Sequence, residues 1–256
     1  MIPFFRKIRK QLSDDNQILK YSRYAIGEIV LVVIGILIAL QVNNWNEDRK
    51  LKRKESSYYC KLLEDISQDA QQINQLIDET SQRIYHSNKL IALLQENELN
   101  PSEIVNEMFQ AVSLVTYTFK PSTSAFDDIK SSGNLNVLSD EQIKNALINY
   151  YVDVEGIVDV VDINSDQAVR MFYNKDNYAR FGWQLIDLVD SAIDSTMVDK
   201  ARLKNIISTD KDYREKLMSD AIFFVGSGAR VKMLYQNLSV EIGVMQQSLQ
   251  AKCDEK

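Results

Sequence analysis

The sequence predicts an all-α protein: a single N-terminal transmembrane helix continuing into a long stalk helix and an elongated antiparallel helical bundle. Three observations predict it. Residues 25–42, AIGEIVLVVIGILIALQV, contain an unbroken apolar run at 29–40. The 256 residues include only eight glycines and three prolines, few breakers for a strand-and-turn fold, and the abundant Leu, Ile, Gln, Glu, Asp and Lys favour helix. Two further stretches place apolar residues at steps of three and four, the period of a helix face. The expected divisions are a basic amphipathic arm at 1–23, a transmembrane helix at 24–46 and a helical bundle domain at 47–256. Within the bundle, the stalk covers about 47–97 and the last helix about 209–252.

The arm places Phe4, Ile8 and Leu12 on one helical face, with Arg6, Lys7, Arg9 and Lys10 mostly elsewhere. This suits a short amphipathic helix lying on an anionic membrane surface, those four basic residues contacting lipid. The plainer reading is a positive flank that only orients the anchor. A helix through residues 25–42 rises by about 27 Å, close to the hydrocarbon thickness of a bilayer. Tyr21 and Tyr24 stand at one end and Trp45 at the other, where aromatic belts sit. A cleaved signal peptide is the rival reading. No small-x-small site follows the apolar run, however, and Gln41, Asn43, Asn44 and Trp45 read as a membrane exit. Both flanks carry six basic residues, so the positive-inside rule is a draw. Long domains cross largely regardless of charge while a short basic arm stays inside, which puts the N-terminus in and the C-terminal domain out.

Glu28 is the unusual residue of the span. A carboxylate in hydrocarbon is costly, and from about one turn inside the end it reaches water by snorkelling. The alternative comes from the helical wheel, on which Glu28, Gly35, Ala39 and Asn46 fall near one line. A small and polar stripe is what close helix–helix packing in lipid requires, and it points to a homodimer or a partner membrane protein. Beyond the span, Arg49, Lys50, Lys52, Arg53 and Lys54 sit at headgroup level and are expected to contact lipid phosphates.

These residues also carry a resemblance. FFRKIRK (4–10) followed by YAIGEIVLVVIGILIALQVNNWNE (24–47) resembles the opening of a family of bacterial membrane proteins of unknown function. SAFDDIKSSGNLNVLSDEQIKNALINYY (124–151) is a second stretch similar to it. The resemblance implies a single-pass protein of the bacterial inner membrane with a helical domain. It brings no reaction, ligand or catalytic residue.

Residues 47–95 contain neither Gly nor Pro. Their stripe is Leu51, Tyr58, Leu62, Ile66, Ala70, Ile73, Ile77, Thr80, Ile84, Ile91 and Leu94, interrupted by Ser87. This predicts a stalk of about 45–50 residues continuing from the span. His86 lies on it alone, with no Cys or His near in sequence, and reads as a surface or packing residue. Asn100, Pro101 and Glu103 read as N-cap, first turn and N3 of a helix reaching about Tyr117, where Pro121 breaks the chain. Residues 112–119, VSLVTYTF, are the one candidate strand, with helix or coil expected. A short helix at 124–132 should close on a left-handed Gly133. Ser139 with Gln142 reads as a capping box. Phe126, Ile129, Leu135 and Leu138 would hold this corner together, and the alternative is a ligand-binding corner using the serines and Asn134.

The helix from 140 to about 173 carries Glu155, Asp159, Asp162 and Asp166 on one face, beside Asp153. A solvated face is the expectation. Oxygen-rich clusters also bind Ca²⁺ or Mg²⁺, but no EF-hand loop wraps an ion here. Tyr178, Phe181 and Trp183 either pack one end of the bundle or line a small-molecule or peptide site. Residues 184–193 and 199–207 read as further helical pieces. The last helix has the clearest heptad of the chain: Leu217, Ala221, Phe224, Gly228, Val231, Tyr235, Leu238, Ile242, Met245 and Leu249. Neither this stripe nor that of the stalk can stay in water, so the two should pack antiparallel in one chain. That brings Cys253 toward Cys60, the only two thiols, and in an oxidising compartment allows a disulfide if the helix phases agree.

Charge bounds function. Residues 1–23 carry +4; the whole chain is −6 and Glu28 lies in the span, so residues 43–256 carry −9. An acidic domain argues against nucleic acid as a partner. The cysteines form no C-x-x-C pair, and no catalytic residue, cofactor or metal ligand set stands out. The sequence therefore points to a membrane-anchored, non-enzymatic interaction or ligand-sensing module that acts through a partner. The alternative is a scaffold or assembly subunit of a membrane complex, and an enzyme is the least favoured class.

Overall fold

The computed structural model describes residues 18–112, 118–207 and 209–254, and all the regular elements among them are helical. In chain order these are α1 (Ile18–Gln95), α2 (Pro101–Val112), α3 (Ser124–Ser131), a 3-10 turn (Asn134–Val137) and α4 (Glu141–Tyr173). Then come α5 (Tyr178–Phe181), a second 3-10 turn (Trp183–Leu185), α6 (Asp187–Ala192), α7 (Lys200–Lys204) and α8 (Lys211–Asp254). Contacts divide the chain into two units, Met1–Glu55 and Ser56–Lys256.

The first unit contains the apolar segment of α1. Its most apolar 18-residue window has a mean hydropathy of 2.6 and none of it is buried. Among the described residues this is the one helix long and apolar enough to cross a membrane, by length and composition. Residues 1–17 of the arm, with Arg6, Lys7, Arg9 and Lys10, lie outside the described residues, and the rest of the arm is the start of α1.

The second unit is built on an antiparallel pair. Cys60 is joined to Cys253 by a disulfide, Gln246 Nε2 donates to Ser67 Oγ at 3.2 Å, Gly228 lies against Ile84, and Arg214 donates to the carbonyl of Glu96 at 2.9 Å. Each advance along α1 is matched by a retreat along α8, so the expected pairing of the two stripes holds. The heptad is buried at each of its ten positions except Gly228, which is half-buried. A Cβ on Gly228 would stand 2.8 Å from Ile84 Cγ1, so glycine here permits a close helix approach. From Tyr58 onward the stalk stripe is buried except at Ala70, Ile77, Ile84 and Ile91, which are half-buried, whereas Leu51, in the first unit, is 51% exposed. Helix α2 runs antiparallel to α1, tied by His86 to Glu107 at 2.7 Å and Lys89 to Glu103 at 3.3 Å.

The buried side chains form two clusters. One gathers residues between Tyr58 and Leu76 with Phe119, Ile129, Leu147, Tyr150 and the C-terminal half of α8. The other gathers Leu90, Leu94, Met108, Phe172 and Tyr213 to Phe224. Local signals placed the boundaries well. Asn100 Oδ1 accepts from the Glu103 N–H at 3.5 Å, and Gly133 adopts φ +69° after α3. The start of α4 differs from expectation. Its N-cap is Asp140, whose carboxylate accepts from the Gln142 and Ile143 N–H groups at 3.1 and 3.2 Å. Ser139 stands one position too early to reach them. Helix α2 is described to Val112, so its extension to Tyr117 and most of the candidate strand lie outside the described residues.

Candidate functional site

Residues 118–123 form no regular structure, so their backbone N–H groups need partners from elsewhere. One edge of α1 supplies them. Lys120 N–H donates to Gln72 Oε1 at 2.9 Å and Ser122 N–H to Asp69 Oδ1 at 2.7 Å. Helix α3 is capped the same way. Its own N-cap residue, Thr123, makes no side-chain capping bond. Instead Asp65 accepts from Ala125 N–H at 2.7 Å and from Ser124 Oγ at 2.8 Å. A carboxylate from another helix thus sits where orphan N–H groups and the helix dipole favour negative charge.

The fourth oxygen of this pair, Asp69 Oδ2, accepts from the Tyr150 hydroxyl at 2.7 Å. Tyr151 donates to the Ser122 carbonyl at 2.9 Å and stacks on Phe126 with ring centroids 4.4 Å apart. Asp65 and Asp69 are 4% and 1% exposed, unusual for carboxylates without an adjacent cation. Burial pushes the Asp69 carboxyl above its ordinary value, against the lowering effect of the Tyr150 and Ser122 hydrogen bonds, and Asp65 adds to the rise. Burial, with help from Asp69, also pushes both Tyr150 and Tyr151 well above the ordinary tyrosine value. With a donor on every carboxylate oxygen, the arrangement clamps the 118–125 segment to α1.

A second buried polar group lies in the other half of the unit. Lys175 Nζ is 2.6 Å from Asp220 Oδ2 and 4.4 Å from the centre of the Phe181 ring. Burial pulls the Lys175 ammonium below its ordinary value, and Asp220 holds it up. Trp183 packs beside it among Phe172, Tyr173 and Tyr178, with centroids 5.1, 5.5 and 4.6 Å away. The aromatic connector therefore closes this end of the bundle.

Of the residues singled out from sequence, Glu28, Gly35, Ala39 and Asn46 are all exposed on α1, and a Cβ added at Gly35 would meet nothing within 4 Å. Arg49, Lys50, Lys52, Arg53 and Lys54 are exposed too; Lys50 pairs with Glu47 at 2.9 Å and Arg49 lies 5.8 Å from the Trp45 ring. Glu155, Asp159, Asp162 and Asp166 are exposed, Asp166 pairing with Arg170 at 2.6 Å, so this stripe is a solvated face. His86 packs against α2 through Glu107. Sequence reasoning missed Asp65, Asp69 and Asp220. A signal existed: Asp69 is seven residues from both Leu62 and Leu76, and Asp220 falls three after Leu217 and four before Phe224, all within buried stripes.

An all-α chain with one exposed apolar helix segment and a helical unit closed by a disulfide defines the class. The chain belongs to the family of unknown function DUF6090, whose profile matches residues 28–157. The matched span contains the apolar run 29–40 and the whole Asp65–Asp69 clamp with Tyr150 and Tyr151. No curated protein and no solved structure matches the chain.

Proposed function

We propose that this protein is a single-pass protein of a bacterial inner membrane whose C-terminal helical unit faces the extracytoplasmic side. There it acts as a non-enzymatic interaction or ligand-sensing module through a partner. The observation that carries the reading is the unbroken exposure of residues 26–42, an apolar surface that lipid covers far more cheaply than water. The non-enzymatic reading is supported by the use made of the buried carboxylates, which hold backbone and tyrosine hydroxyls. The side of the membrane is supported by Cys60 and Cys253. Their Cα atoms are 4.9 Å apart in a disulfide, and such bonds persist in oxidising compartments.

Protein extracted from cells after quenching with an alkylating agent should carry no free thiol until reduced, and reduction should slow its migration on a gel. Protease added to intact spheroplasts should digest the helical unit. Free thiols in the cell together with full protection would put this unit in the cytoplasm. A pull-down from solubilised membranes separates the functional classes, since a constitutive stoichiometric partner favours the scaffold reading and a ligand-dependent one the sensor.

The span itself is read as an association surface along Glu28, Gly35, Ala39 and Asn46. The open space around Gly35 leaves room for a second helix backbone, of this chain or of a partner. Gly35→Leu is expected to lower the cross-linking yield in membranes. An unchanged yield would remove this face from consideration.

A further inference from the structure

The two apolar clusters of the helical unit do not meet in a continuous core. Between them each long helix carries small or polar residues: Thr80, Arg83 and Ser87 on α1, Asn164 and Ser165 on α4, Ser227 and Gly228 on α8. Arg83, Asn164, Ser165 and Ser227 line one cavity of about 20 Å³, with Gly228 and Phe224 completing its wall on α8. That volume holds one water molecule or one ion of similar size.

Arg83 is the only charged residue on the wall among the described residues. Its one hydrogen bond among the described residues is weak for a guanidinium, from Nη2 to Thr80 Oγ1 at 3.3 Å. Among the described residues it makes no ion pair. Glu79, one turn earlier on the same helix, accepts instead from Gln75 at 2.8 Å. The other hydroxyls of the layer divide into two sorts. Those of Thr80 and Ser87 donate to carbonyls of α1 itself at 2.7 Å. Those of Ser165 and Ser227 have no hydrogen-bond partner among the described residues, and Ser165 is 8% exposed. Burial pulls the Arg83 guanidinium below its ordinary value, while Tyr235 and Glu79 support its charge. A half-buried guanidinium keeps its proton, Glu79 one turn away makes no ion pair with it, and hydroxyls lining the same cavity complete the coordination an anion needs. A water molecule would fill the space without neutralising the charge.

We propose that this layer binds a small monoanion, a halide or the carboxylate tip of a small acid, through the Arg83 guanidinium and the Ser165 and Ser227 hydroxyls. The site joins α1, α4 and α8 at the level where their apolar packing is interrupted, so its occupancy changes how the two clusters are coupled. This gives the ligand-sensing part of the proposed function a ligand class and rests on that reading for its purpose, though not for its chemistry.

The test uses the full chain in neutral detergent at constant ionic strength, with sodium gluconate replaced stepwise by sodium chloride or sodium formate. Gluconate is too bulky for the cavity. Above the dissociation constant, the thermal midpoint of the unaltered protein should rise by about 3–5 °C for each tenfold increase in the bound anion. Arg83→Met should abolish the response. A response to formate alone identifies a carboxylate tip and a response to chloride identifies a free halide. Broadening of the chloride NMR line by the unaltered protein, reversed by bromide or formate, gives the same answer without a variant. A midpoint indifferent to both anions together with an unbroadened line, or a response unchanged in Arg83→Met, would overturn the proposal and leave the cavity to water. None of these readouts depends on membrane sidedness or on a protein partner, so the proposed function stands or falls separately.

Discussion

Asp220→Ala is expected to destabilise the helical unit by about 3–5 kcal/mol, the loss found when one member of a buried ion pair is removed and the other stays behind. Lys175 is 8% exposed, its ammonium lies 2.6 Å from Asp220 and 4.4 Å from the centre of the Phe181 ring, and Asp176 and Lys216 act on it more weakly and in opposite directions. The ring offers an attraction of about 0.5–2 kcal/mol, too little to replace a carboxylate for a desolvated cation. Desolvation already pulls the Lys175 value down and Asp220 opposes it, so the variant should lose that proton at lower pH. Urea unfolding of the full chain in mild detergent, followed by loss of helical circular dichroism, measures the effect. The paired replacement Lys175→Met with Asp220→Leu should recover stability to within about 1 kcal/mol of the parent, because apolar groups of similar volume need no counter-charge. A loss under about 1 kcal/mol for Asp220→Ala alone would mean that Lys175 reaches water and that the pair does not anchor its segment.

Asp69→Ala should cost about 2–4 kcal/mol by leaving two buried donors, the Ser122 N–H and the Tyr150 hydroxyl, without an acceptor. Asp69→Asn is the informative companion. Its amide oxygen still accepts from Ser122, and its amide nitrogen donates to the Tyr150 oxygen. Burial raises the Asp69 value on folding from about 3.8. Between the unfolded value and the raised one, the folded state holds the extra proton. This contribution is therefore fully present below the unfolded value and is lost as pH rises through the folded one. Asp69→Asn cannot titrate, so the stability of the parent relative to this variant should fall as pH rises from the unfolded value through the raised folded one. Parallel unfolding curves across that range would show that Asp69 is solvated, and a loss under about 1 kcal/mol for Asp69→Ala would show that the 118–125 segment is held by something other than the clamp.

Much of the fold is written locally. The apolar segment, the stalk, the ten-residue heptad of α8, the Asn100 cap and the left-handed Gly133 all depend on neighbours within one or two helical turns, and each stands as the residues predict. Even the antiparallel pairing follows from local pattern, since two long stripes with few breaks between them have little else to cover them. The placement of Ser139 as a cap failed by one position because two adjacent residues both suit the role, and the chain's approach to α4 selects between them.

The clamp and the buried ion pair were not legible in the same way. An aspartate reads as solvated by its type, and the position of Asp69 within a buried stripe says that it is covered but not by what. The partners of Asp65 and Asp69 lie 53 to 81 residues away, in the irregular segment at Ser122, the first turn of α3 and helix α4, and the partner of Asp220 lies 45 residues away. Such bonds gain their strength only when both groups leave water together, so their energy has no local signature. The disulfide shows the boundary between the two kinds of knowledge. The sequence by itself determined that two thiols lie at corresponding ends of two antiparallel helices. Only the tertiary structure decided that the helices turn them toward each other, with Cα atoms 4.9 Å apart, because phase is set by the packing of the whole interface and not by the periodicity of either strand of the pattern.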